Sequence, residues 1–186
     1  MMATTHAFTG LAVVAPLAYL APEFALPLAV GAIAGGIFPD LDVAFEHRRT
    51  LHFPVYGGVA AIPAVVLAAL SLSNVTVGLA AFAVAAWLHA VSDAFGAGPT
   101  IDPWRNPSDR AVYDHVRGRW IAPRRWVRYD GAPEDAVLAV GLAMPSLVIF
   151  DEYSTIQALA VAGVVVSLSY AAVRRRLVDW TSGWLE

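Results

Sequence analysis

Cysteine is absent from the 186 residues, which excludes disulfides and thiolate ligands and leaves any metal to nitrogen and oxygen donors. Lysine is absent as well, and all twelve basic residues are arginine, which we read as a compositional bias. Charge of either sign is scarce, at 15% of residues against 58% hydrophobic and a mean hydropathy of +0.60. A soluble domain of this length needs a more polar surface, so the deficit points to lipid as solvent. The net charge of −3 shows none of the basic excess that a nucleic-acid partner calls for, and none is expected. No arginine precedes the first apolar stretch, so the N-terminus reads as a retained helix rather than a secretory leader.

What the chain has instead is apolar runs. Six can be marked: Ala7 to Ala21, Phe24 to Phe38, Pro54 to Leu72, Val75 to Phe95, Ala136 to Phe150 and Thr155 to Val173. A perpendicular span needs ~20 residues. The third, fourth and sixth runs meet that; the first, second and fifth are short and are interrupted by Pro16, Pro27 and Pro145. The expected fold is all-α: a polytopic membrane bundle of about six apolar helices, some short or kinked, in a single domain over residues 1–186. Five or fewer full crossings is the reserve reading.

With six spans, one side of the bundle carries the N-terminus, the segment from Pro39 to Phe53, a long loop over residues 96–135, and the tail from Arg174. All twelve arginines fall on that side and none on the other. The positive-inside rule then predicts a multi-pass protein of the plasma (inner) membrane with this side in the cytoplasm. Trp104, Trp120, Trp126, Trp180 and Trp184 lie there too, as rings that favour the headgroup layer do. From Trp104 to Asp130 arginine alternates with aromatic and apolar residues, which suits contact with lipid headgroups.

The same side collects the residues able to bind a metal. His6 opens the first run, Asp40 and Asp42 close the second, His47 and His52 follow in the loop, and His89 and Asp93 stand four apart on one face of the fourth. Taken singly, His6 is more often a solvated or capping residue, and Pro39-Asp40-Leu41-Asp42 more often a helix stop. Ionisable groups inside a span usually mark a site. Histidine and carboxylate are the donors that a hard or borderline divalent cation prefers. We therefore take His6, Asp40, Asp42, His52, His89 and Asp93 as candidate ligands of one or two divalent ions, with His47 as a neighbour and His115 outside. Asp42, if it is not a ligand, can orient or deprotonate water. Arg48 and Arg49 can hold a phosphate, or can simply reflect loop topology.

The run Gly35-Gly-Ile-Phe-Pro-Asp-Leu-Asp42, then His47-Arg48 and His52, then His89-Ala-Val-Ser-Asp93, resembles the LexA-binding, inner-membrane-associated metal-dependent hydrolases. The likeness covers about the first hundred residues, in order as well as in residue type. One departure is visible: the family's Thr-His-Ser triplet reads Leu51-His52-Phe53, with Thr50 one place off. The ligand order is also similar to that of zinc-dependent phospholipase C and related nucleases. These resemblances imply zinc and hydrolysis of a phosphoester, carried by a lipid or other amphiphile given the depth of the site.

A non-enzymatic alternative stands beside this one. The metal, or the polar cluster alone, would brace a membrane-bound regulator that offers its loop to a protein partner or a second copy of the chain. An open cleft over the cluster favours the enzyme, and a closed site the scaffold. A transporter is disfavoured, because the polar groups gather at one interface and no repeat relates the two halves.

Overall fold

The computed structural model describes residues 1–182, and Trp184 lies outside them. Among the described residues there are six α-helices: α1 (Ala3–Leu20), α2 (Ala25–Ile37), α3 (Tyr56–Leu70), α4 (Asn74–Ser92), α5 (Pro133–Ile149) and α6 (Ser154–Ser182). Two short strands, β1 (Val112–Asp114) and β2 (Arg119–Ile121), form an antiparallel hairpin between α4 and α5, with Tyr113 opposite Trp120. The chain is thus all-helical apart from this hairpin. Four stretches are long and apolar enough to cross a membrane: Ala3–Leu20, Pro22–Ala44, Asn74–Phe95 and Ser154–Thr181.

This differs in detail from the spans expected above. The first two runs prove long enough, while the third yields only the 15 residues of α3, about 23 Å of helix against a hydrocarbon core of about 30 Å. In the second run the prolines explain the gain. Pro27 sits in the first turn of α2, where its missing N–H has no intrahelical partner to lose. Pro39 lies within a 3-10 turn, Phe38–Ala44, which prolongs α2 rather than stopping it. The loss in α3 comes from both ends: Pro54 and Val55 form a non-helical turn behind His52, and Ser71 and Leu72 fall outside the helix.

Small residues let the helices approach closely. α2 packs against both α1 and α4, α3 packs on α4, and α6 packs on α5 and α1. A Cβ at Gly31 or Gly35 would meet the carbonyl oxygens of Gly78 and Phe82 on α4. A Cβ at Gly36 would fall 2.8 Å from the Cα of Ala7 and from the carbonyl oxygen of His6 on α1. The core is largely alanine, with Ala29, Ala32, Ala139 and Ala143 fully buried. The larger apolar side chains, such as Leu70, Val137, Val161 and Val165, face outward, the reverse of a water-soluble protein.

α4 begins with a reciprocal cap: Ser73 Oγ accepts from the Thr76 N–H at 3.2 Å, and Thr76 Oγ1 accepts from the Ser73 N–H at 3.1 Å. At the opposite end of the bundle, α1 starts, α2 ends, α4 ends and α5 starts. The loop between α4 and α5 folds over that end. Arg124 N–H donates to the Ala94 carbonyl (2.8 Å), Val127 N–H to that of Phe95 (3.1 Å), and Tyr113 N–H to that of Arg48 (3.0 Å).

Candidate metal centre

His89 and Asp93 lie one turn apart at the C-terminal end of α4, and both are buried. His6 reaches them from the first turns of α1; its ring stacks on that of His89 with centroids 3.6 Å apart. The 3-10 turn after α2 supplies Asp40, and the loop behind it supplies His52. The structure brings these five into two groups with the spacing of metal ligands, His6–His89–Asp93 and Asp40–His52–His89. Asp93 is the hub: its Oδ1 lies 3.2 Å from His6 Nε2, and its Oδ2 lies 3.0 Å from His52 Nε2 and 3.6 Å from His89 Nε2. Asp40 Oδ1 stands 3.3 Å from His89 Nε2 and 4.0 Å from His52 Nε2.

The far nitrogen of each imidazole is tied down. His89 Nδ1 donates to the Gly36 carbonyl oxygen at 2.7 Å. His52 Nδ1 lies 2.9 Å from Asp42 Oδ2, a carboxylate oxygen that can only accept. His6 Nδ1 lies 3.1 Å from Ser92 Oγ, whose one proton goes to the His89 carbonyl at 2.9 Å, so the imidazole is the donor. All three rings are therefore assigned protons on Nδ1, leaving the Nε2 lone pairs to face the cluster. Those three Nε2 atoms, together with Asp93 Oδ2, are buried and have no hydrogen-bond partner. They are near the carboxylates but not aligned with them as donors. Buried polar atoms are rarely left so, and a cation in either group would satisfy the Nε2 atoms which that group contains. Each Nε2 has one lone pair, so His89 serves one of the two groups at a time.

The other sequence candidates fall in three places. Asp42 is fully buried just behind the ligands: Oδ1 accepts from His47 Nδ1 (2.8 Å) and Arg48 N–H (3.4 Å), and Oδ2 from Leu51 N–H (3.1 Å) and His52. It orients His52 rather than facing the cluster. Arg48 is buried, with Nη2 3.6 Å from Asp93 Oδ1. Its φ of 64° is in the left-handed region, unusual for a residue other than glycine. Arg49 points away: it pairs with Glu46 at 2.6 Å and lies over the Tyr113 ring, 4.4 Å from the centroid. His115 packs between Phe53 and Tyr113, outside the cluster.

Some contributing residues carry no signal in the sequence. Asp135 reads as an ordinary acid in the first turn of α5 after Pro133. In the fold it is fully buried, accepting from Thr5 Oγ1 (2.7 Å), Met2 N–H (2.8 Å) and Gly131 N–H (3.0 Å). It therefore fixes the turn of α1 that carries His6. Ser92 and the Gly36 carbonyl are equally silent, because their roles depend on which helix lies opposite.

A cavity of about 580 Å³ adjoins the cluster, lined in part by Asp40, His47, Arg48 and Arg174. Asp40, 27% exposed, is the one ligand candidate in contact with it. Comparison with protein-family models, with curated proteins and with solved structures finds no match for this chain.

Proposed function

We propose that the protein is a membrane-bound, zinc-dependent hydrolase of phosphoester bonds, acting at the cytoplasmic face of the plasma membrane. The observation that carries this is the convergence of three unpartnered Nε2 atoms with the carboxylates of Asp93 and Asp40, one of which opens onto a cavity. A scaffold metal is enclosed by protein on every side, whereas a catalytic one keeps a position open. The partial exposure of Asp40 favours the second. The likeness of the motif Pro39 to Asp42, His47-Arg48, His52 and His89 to Asp93 to the LexA-binding metal-dependent hydrolases supports the same class.

In this reading one or two ions would be held by the groups His6–His89–Asp93 and Asp40–His52–His89, with His89 serving one of them at a time. A divalent ion bound there would supply Lewis-acid polarisation and lower the pKa of water. Asp42 keeps His52 in the required tautomer. Arg48 lies beside Asp93, where a guanidinium offsets charge developing on a phosphoryl oxygen. The net reaction adds water across a P–O ester bond, giving a phosphate and the free alcohol.

The test is elemental analysis of the purified chain together with a panel of phosphomonoester and phosphodiester lipids. Stoichiometric zinc is expected, with turnover that disappears on chelation and returns when zinc is restored. Protein purified without any stoichiometric metal at neutral pH would overturn the proposal.

A further inference from the structure

The cavity beside the cluster changes character along its length. On α6 it is lined by Arg174, Tyr170 and Val166, which are spaced by four and so share one helix face. Arg174 and Val166 are about 12 Å apart along the axis. Arg174 belongs to the arginine-bearing end, while Val166 lies inside the apolar stretch of a helix long enough to cross a membrane. Val43 of the 3-10 turn and Ile101 of the loop, which also line the cavity, are 74% and 69% exposed. The wall is therefore charged at one end and apolar at the other, with its apolar side chains outward.

At the charged end sits Arg48. Its residue is 5% exposed, and Nε and Nη1 are buried without a hydrogen-bond partner. Arg174 is not equivalent, because its donors go to the carbonyls of Ile101 (2.6 Å) and Asp130 (3.2 Å). Arg48 is also held at its left-handed φ from both sides, by its N–H to Asp42 and by its carbonyl from Tyr113. Strain of this kind, held in place by surrounding bonds, marks a residue whose placement matters.

We propose that the cavity takes an amphiphile with a phosphoryl headgroup, drawn sideways from the bilayer between the turn Phe38–Ala44 and α6. The phosphoryl group lies on Arg48 next to Asp40, and the hydrocarbon tail runs along Val166. This assignment of substrate class rests on the hydrolase reading above, but binding can be measured apart from it. A free phosphate offers the same headgroup chemistry without the tail, and the experiment separates the two.

The full chain, in detergent micelles, is titrated with phosphatidic acid, with diacylglycerol (tail only) and with glycerol 3-phosphate (headgroup only), and bound ligand is counted by native mass spectrometry. Zinc is measured on the same samples before and after chelation. Phosphatidic acid is expected to bind at least tenfold more tightly than either fragment. Arg48→Gln is expected to bring its affinity down to that of diacylglycerol. Val166→Trp, which fills the apolar end, is expected to weaken phosphatidic acid at least tenfold and leave glycerol 3-phosphate unchanged. Glycerol 3-phosphate binding as tightly as phosphatidic acid overturns the proposal, as does undiminished phosphatidic acid binding by folded Arg48→Gln. Should Arg48→Gln fail to fold, undiminished binding by Val166→Trp overturns it alone. Zinc-free protein that still selects phosphatidic acid upholds this inference and removes the hydrolase reading; zinc-bound protein without selection does the opposite.

Discussion

Both oxygens of Asp42 are filled, two hydrogen bonds to each, and a carboxylate so engaged has no lone pair left for a metal. Its charge acts at one remove, by holding the His52 Nδ1 proton in place. Asp42→Asn keeps the shape but cannot accept on both sides, so His52 loses the bond that fixes its tautomer. The expected result is about 10–100-fold weaker metal affinity, read by competition with a chelator in protein that still inserts. His89→Ala and Asp93→Ala remove donors themselves and are expected to abolish stoichiometric metal and activity while the protein remains inserted. Equal metal affinity in Asp42→Asn and the wild type would show that Asp42 does not position His52. The list of ligand residue types was legible in the sequence, since ionisable groups near the ends of apolar helices stand out. The division between Asp40, which meets the cluster, and Asp42, two residues on, was not. On a 3-10 turn, neighbours two apart point in quite different directions, and only the packed loop shows which one faces the ligands.

The packing of α2 decides whether the candidate ligands meet. Asp40 hangs from its C-terminal end, and its backbone carbonyl at Gly36 holds His89 on α4. Gly35→Ala would drive a methyl group into the Phe82 backbone, which cannot swing aside as a side chain can. Overpacking of this kind costs about 1–3 kcal/mol, so a clear drop in melting temperature in detergent is expected, with weaker metal retention. Gly141 on α5 has nothing within 4 Å of its would-be Cβ, and alanine there is favoured by about 0.5–1 kcal/mol in a helix interior. Gly141→Ala should melt at or above the wild-type temperature; a matching loss would deny any special close approach at Gly35.

The β1–β2 hairpin behaves differently. Burial works against ionisation of Asp114, but the N–H groups of Arg117 and Val116 and the Arg117 guanidinium outweigh it and hold the carboxyl below its ordinary value. A depressed carboxylate contributes stability above its unfolded pKa of about 3.9, and that contribution is lost as pH falls through the lower folded value. Hydrogen exchange of residues 112–121 should therefore be flat from neutral pH down to about 4 and quicken only below that, once intrinsic exchange rates are divided out. Asp114→Asn should show the quickened exchange at neutral pH. The arginine-aromatic pattern of this loop was plain in the sequence, but its hairpin was not, because three-residue strands carry too little periodicity to detect.

For the molecule as a whole, the absence of cysteine makes topology directly testable. Asp109 and Glu152 are both exposed and lie at opposite ends of the bundle in the six-span arrangement. In the proposed orientation Glu152→Cys is labelled by an impermeant maleimide from outside intact cells, and Asp109→Cys only in inverted vesicles. Labelling of both from one side would mean an even number of crossings between them and would undo the six-span arrangement.

Hydropathy and loop charge, which depend on residue type and order alone, were enough to announce an apolar helical bundle with its arginines, its histidines and a cluster of aspartates at one end. They were enough because lipid solvation and helix length act on each segment separately. Which runs are long enough depended on where Pro27 and Pro39 fall within their turns, a matter of local backbone geometry. The meeting of His6, Asp40, His52, His89 and Asp93, the tethering of each Nδ1, the inward turn of Arg48 beside an outward Arg49, and the graded cavity along α6 all came from helix contacts across long stretches of chain. Such contacts are set by the close fit of α2 against α1 and α4, and no segment read alone contains that information.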